Sequence, residues 1–131
     1  DRHDETVRAT TAHYSGRLIK IDGDGALATF DGPARALRCA IDVGDQMKRL
    51  GVEIRSGLHT GEVEMRGDDV AGMAVHVASR IKDQAGPSEL LASSTVKDLV
   101  IGSGLEFDEG KRVSLKGIPN EWTVHRVIGG R

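Results

Sequence analysis

The tetrapeptide Asp22-Gly23-Asp24-Gly25 places two carboxylates at what reads as the tip of a β-hairpin. Apolar runs at residues 18–21 and 26–30 flank it, and Asp-Gly between two β-prone runs is a strong short-range hairpin signal. Glycine permits the positive-φ turn, so the acidic side chains project from a rigid tip. Carboxylate oxygens held this way suit a hard divalent cation. A plain structural turn has the same pattern, and these residues alone leave both readings open. A helix–loop–helix calcium site is excluded. Counted from Asp22, loop positions six and twelve hold Leu27 and Pro33, where glycine and glutamate are required. Lys20 stands four residues before Asp24, on the strand that leads into the tip.

A second concentration of chemistry lies downstream. Met73, His76 and Arg80 recur at i, i+3 and i+7, one face of a helix expected over residues 72–84, and Asp69 stands four residues before Met73. Val77 and Ile81, with Ala74, Ala78 and Ala85, supply the apolar side of that helix. A solvated face carrying a single Asp–Arg ion pair gives the same spacing.

The elements that must position these groups follow from periodicity and turn chemistry. Residues 1–13 are polar and helix-compatible and end at Tyr14-Ser15-Gly16. After the hairpin, Asp31-Gly32-Pro33 opens a helix, with aspartate near the cap and proline in the first turn. Ala36, Leu37, Ala40, Ile41, Val43 and Met47 carry its apolar face to about Leu50, and Gly51 ends it. Val52, Ile54, Ser56 and Leu58 alternate with polar or small residues, which predicts a half-buried strand. Val63 and Met65, beyond a turn at His59-Thr60-Gly61, are predicted to form its antiparallel neighbour, broken at Gly67-Asp68-Asp69. A short strand is expected over residues 89–92, then a helix capped by Ser93-Ser94 and running to about Ile101. Strands over 106–108, 113–116 and 122–128 complete the chain. The order predicts one α+β domain over residues 1–131, with helices covering one face of a largely antiparallel sheet.

Composition narrows the function classes. With 18 basic and 20 acidic residues among 131, the net charge of −2 offers no bulk attraction for nucleic acid. The single cysteine, Cys39, excludes an internal disulfide and fits a reducing compartment; set among apolar residues, it reads as packing. There is no run near 18 apolar residues and no signal-peptide pattern. A soluble, cytoplasmic domain without direct membrane contact is expected.

Four motifs occur in series: Lys20-x-x-Gly23-Asp24-Gly25, Arg55-x-Gly57-x-His59-x-Gly61, Asp69-x-x-Gly72-x-x-Val75-His76-x-Ala78-x-Arg80, and Leu115-Lys116-Gly117. Together they resemble the catalytic domain of class III nucleotidyl cyclases, in particular the bacterial adenylate cyclase branch, over nearly the whole chain. The resemblance implies the ferredoxin-like cyclase fold and conversion of ATP to 3′,5′-cyclic AMP and pyrophosphate. In that family two aspartates hold two Mg²⁺ or Mn²⁺ ions on the nucleotide, and Asp24 matches the second. Lys20 and Asp69 match the residues that read the adenine edge. Lysine can donate to a purine ring nitrogen and a carboxylate can accept from the exocyclic amine, whereas guanine presents the opposite pattern. Arg80 matches the arginine that stabilises charge on the α-phosphate, and Lys116 matches a lysine that contacts the terminal phosphates. The family's site lies between the subunits of a homodimer, so Asp24 would come from one chain and Lys20, Asp69, Arg80 and Lys116 from the other.

The chain departs from the pattern at two places. The family's Phe-Thr-Asp-like strand, with its first metal aspartate, and the loop whose amides hold phosphate have no counterpart in these residues, and Asp22 matches no family ligand. The chain is therefore expected to be cut from something longer and to be inactive alone. His76 stands where the family often has an asparagine that orients the ribose; a neutral imidazole can donate one hydrogen bond in its place. The alternative reading is an inert cyclase-like module that dimerises or binds nucleotide for regulation. A palm-type nucleotidyl transferase of the diguanylate cyclase kind fits less well, because it needs a Gly-Gly-Asp-Glu-Phe-like hairpin where this chain has Asp-Gly-Asp-Gly.

Overall fold

Residues 2–22 and 25–130 are described by the computed structural model. Helix α1 (Arg2–His13) leads into the expected hairpin of β1 (Arg17–Asp22) and β2 (Gly25–Thr29), which pair antiparallel. The ladder is interrupted between Leu18 and Lys20, leaving Ile19 as a bulge; Leu18 then faces Ala28, and Lys20 faces Leu27. Gly23 and Asp24 lie outside the described residues. Helix α2 (Pro33–Arg49) starts with proline in its first turn, as its sequence predicts, although the cap position is Gly32. α2 also packs on α1. There Asp42 accepts hydrogen bonds from the Tyr14 hydroxyl at 3.0 Å and from Gln46 Nε2 at 2.8 Å.

The main sheet differs from expectation in its pairing. Strand β3 is confined to Ser56–Leu58, and its neighbour is the parallel strand β6 (Leu90–Ser93). The segment containing Met65 forms β4 (Glu64–Arg66), which pairs with β5 (Asp69–Ala71) in a separate hairpin. The reason is the helix that follows, α3 (Met73–Asp83): it is the crossover of a βαβ unit, which returns the chain parallel to β3. Alternation along residues 52–58 reports a pleat but says nothing of the partner, and the ladder begins only where Ser56 N–H donates to the Glu89 carbonyl at 3.1 Å. Beyond β6 come α4 (Ser94–Leu99), β7 (Glu106–Phe107), β8 (Lys111–Ser114) and β9 (Glu121–Gly129). The long β9 pairs antiparallel with β6 on one edge and with β7 and β8 on the other.

Helices cover both faces of this sheet, not the single face expected. Successive residues of β6 point to opposite sides. Leu91 joins Val77 and Ile81 of α3, with Leu115 and Val124, in one core cluster. Leu90 and Ala92 join Leu37 of α2 and Val96 of α4 in the other. Cys39 is buried and free, as packing requires. Close approach of α3 to β3 depends on Gly57. A Cβ there would collide with the backbone nitrogen of Lys82 and the carbonyl oxygen of Ala78, so the glycine seats the helix flush on the strand.

Among the described residues, no helix is long and apolar enough to cross a membrane.

Candidate active site

Two segments far apart in sequence meet at Lys20 and Asp69. Lys20 Nζ donates to Asp69 Oδ2 at 3.1 Å, and Asp69 Oδ1 accepts from the Val70 N–H at 2.8 Å. The bulge at Ile19 and the start of β5 set this meeting. The backbone N–H of Val70, and after it the Lys20 ammonium, hold the Asp69 carboxyl below its ordinary range. Both side chains are about half exposed, 50% and 52%, so the pair remains open to an incoming polar group.

From Asp69 the chain runs through β5 and Gly72 into α3, which carries His76 and Arg80 one turn apart. His76 is turned toward the loop between β8 and β9. A Cβ on Gly117 would sit 3.5 Å from His76 Nε2, and Gly117 adopts φ +77°, a left-handed conformation that glycine accepts without strain. Lys116 immediately precedes it and is exposed. The structure therefore brings His76 beside the Leu115-Lys116-Gly117 turn. Arg80 does not pair with Asp69. Its Nη1 donates to Asp83 Oδ2 at 3.1 Å, three residues further along α3, while its Nε is buried with no acceptor among the described residues. Exposed ion pairs of this kind contribute about 0–1 kcal/mol. Asp24 lies outside the described residues. Among those described, no group of three or more His, Cys, Asp or Glu side chains could hold a metal ion.

A separate cavity of about 650 Å³ opens between the β4–β5 hairpin, the start of α3 and β9, walled by His59, Val63, Met73, Val77 and Trp122. None of Lys20, Asp69, His76, Arg80 and Lys116 lines it. His59, left without a role by its motif, is the organising side chain there. Its Nδ1 lies 2.7 Å from Ser93 Oγ, and its ring meets Trp122 edge-on at 5.3 Å. Ser93 is fully buried, and its Oγ accepts from the Val96 N–H at the start of α4. One proton is shared between Ser93 Oγ and His59 Nδ1 across this short bond, which ties the imidazole to the start of α4.

Burial depresses the His59 pKa from its ordinary 6.5. The folded state thus disfavours the imidazolium that the unfolded chain forms below about pH 6.5. His59 is expected to cost no stability above that pH and to destabilise the fold increasingly as pH drops from 6.5 toward the lowered folded value. Thermal unfolding at pH 7.5, 6.5 and 5.5 measures this, and His59→Gln should flatten the dependence. An unchanged slope in that variant would assign the effect to other histidines.

No protein-family model matches the chain. An uncharacterized protein of Mycobacterium tuberculosis is 29% identical over 128 residues, covering 92% of this chain and 44% of its own length. Putative adenylate cyclase 3 of Rhizobium meliloti is 27% identical over 133 residues, covering 95% of this chain and 22% of its own length. The chain thus spans less than half the length of these curated relatives. Among solved structures, the adenylyl cyclase CyaB from P. aeruginosa superimposes with a TM-score of 0.83 at 20% identity, over 99% of this chain and 80% of that one. Guanylyl cyclases superimpose as well. The fold is that of the class III adenylate and guanylate cyclase catalytic domains.

Proposed function

We propose that the chain is the catalytic domain of an adenylate cyclase, which closes ATP to 3′,5′-cyclic AMP and pyrophosphate at a site shared between two copies of the chain. The observation that carries this reading is the Lys20–Asp69 pair, formed across 49 residues of sequence at 3.1 Å. An ammonium donor beside a carboxylate acceptor complements the ring nitrogen and exocyclic amine of adenine. The name of the Rhizobium relative, a putative adenylate cyclase, points the same way.

The remaining roles follow from position. The ribose 3′ oxygen attacks the α-phosphorus and pyrophosphate leaves. Arg80 stabilises the charge that develops on the α-phosphate. Lys116 holds the terminal phosphates, and His76, beside the same turn, donates to the ribose. Divalent ions, Mg²⁺ or Mn²⁺, would when bound supply acidity to the attacking hydroxyl and neutralising charge to the leaving oxygens. Asp24 is this chain's family-matched ligand for them, and the described residues contain no complete ligand set. Two observations support a site completed by a second chain. Lys20, Asp69, His76 and Lys116 are exposed and lie outside the cavity. Val63, Met65 and Met73 leave apolar side chains 45%, 45% and 59% exposed, a surface that association would cover. The placement is cytoplasmic, where ATP is available.

The test is turnover by the full-length protein with ATP or GTP and Mn²⁺, the product identified chromatographically. Cyclic AMP from ATP, with GTP a much poorer substrate, is expected. A preference for GTP would overturn the base assignment, and nucleotide binding without product would return the chain to an inert regulatory module.

A further inference from the structure

The guanidinium of Arg80 is satisfied on one side only. Nη1 donates to Asp83 at 3.1 Å, and the buried Nε has no acceptor among the described residues. A buried donor left unpaired is disfavoured, so an oxygen able to reach it would be preferred to the present arrangement. Asp83 sits at i+3 from Arg80, where side chains of one helix meet, and the two are 47% and 33% exposed. Water and salt weaken such a pair. It can bias the resting position of the arginine, yet a multiply charged phosphate can displace it. The helix backbone offers little freedom for this exchange, because Gly57 seats α3 on β3 at Ala78 and Lys82, on either side of Arg80. The exchange is therefore one of side chains.

We propose that Asp83 is a positioning residue that competes with substrate for Arg80. It holds the guanidinium along α3 until nucleotide binds, then gives it up to an oxygen of the phosphate chain, which also supplies the acceptor that Nε lacks. This rests on the reading of Arg80 as a phosphate-facing residue. The consequence is that Asp83 weakens nucleotide binding while leaving the chemical step alone.

The test uses the full-length protein in two measurements: steady-state kinetics with ATP and Mn²⁺, and calorimetric binding of magnesium pyrophosphate, which needs no turnover. Asp83→Asn keeps the shape and removes the charge. It should lower the KM for ATP and the Kd for pyrophosphate roughly two- to fivefold, the size of an exposed ion pair, with kcat within about twofold. Asp83→Glu, which can still reach Arg80, should stay with the parent. Asp68→Asn removes an equal charge that makes no ion pair with Arg80 among the described residues, and should do much less. Binding that is unchanged or weaker in Asp83→Asn, or an equal gain in Asp68→Asn, overturns the proposal. If the parent forms no cyclic nucleotide, the cyclase reading fails on its own, and the pyrophosphate comparison still decides the role of Asp83. A parent that does not bind pyrophosphate overturns it too.

Discussion

Full-length chains carrying Asp24→Ala or Arg80→Ala, each inactive alone, are expected to recover about a quarter of the parental cyclic AMP formation when mixed. On the proposed roles, Asp24→Ala takes away a metal carboxylate and Arg80→Ala the cation at the α-phosphate, and either loss should abolish nearly all Mn²⁺-supported turnover. In a shared site the two changes damage opposite halves. A heterodimer therefore contains one site with both defects and one with neither, the intact one pairing Asp24 of one chain with Lys20, Asp69, Arg80 and Lys116 of the other. Random exchange makes about half of all dimers heterodimers, each with one good site of two. The measurement is activity after subunit exchange, with exchange itself followed by differently tagged chains. Exchange without recovery would place both residues in one chain's site and sink the shared arrangement.

The second large effect concerns the base. Lys20→Glu combined with Asp69→Gly should reduce kcat/KM for ATP by roughly 30- to 900-fold, the cost of losing two polar contacts to one edge of a base. The Lys20–Asp69 geometry makes the double change more informative than either single one. Removing Lys20 alone strips Asp69 of its partner at 3.1 Å, so a single variant mixes loss of recognition with rearrangement of the remaining carboxylate. GTP need not become a good substrate, since pocket shape also discriminates. Parental kcat/KM for ATP in the double variant would remove these residues from the role.

Much of this arrangement was legible in the sequence because it is local. The Asp-Gly hairpin, the proline-opened α2 and the amphipathic α3 follow from turn chemistry and periodicity, which put Lys20 on β1 and His76 and Arg80 on α3; Asp69, expected in a break before α3, instead opens β5, and Lys116, expected to end a strand, lies in the turn after β8. What escaped was non-local. Alternation over residues 52–58 could not tell that β3 would pair with β6 beyond a helix, or that β4 would turn back on β5. The second helical layer was hidden for the same reason: β6 is buried on both sides, and a uniformly apolar Leu90-Leu91-Ala92 does not announce two faces. Asp83 was within reach, since an acid three residues after a key arginine is a readable helix pair. The His59–Ser93 bond, by contrast, spans 34 residues and could be found only in three dimensions.

The bulge at Ile19 bears on how base choice is encoded. Opposite residues in a ladder share a face, so with a regular β1 the residue opposite Ala26 would be Lys20, on the side of Leu18 and Ala28. The extra residue moves Lys20 to the side of Arg17 and Asp22, where it is exposed and reaches Asp69. On the proposed reading of Lys20, recognition of the base is written partly in the backbone. In an unkinked strand a lysine two residues after the Leu18 position would share that leucine's face and point away from Asp69. Relatives compared for nucleotide preference should accordingly be aligned by the kink in this strand before their residues at the reading positions are matched.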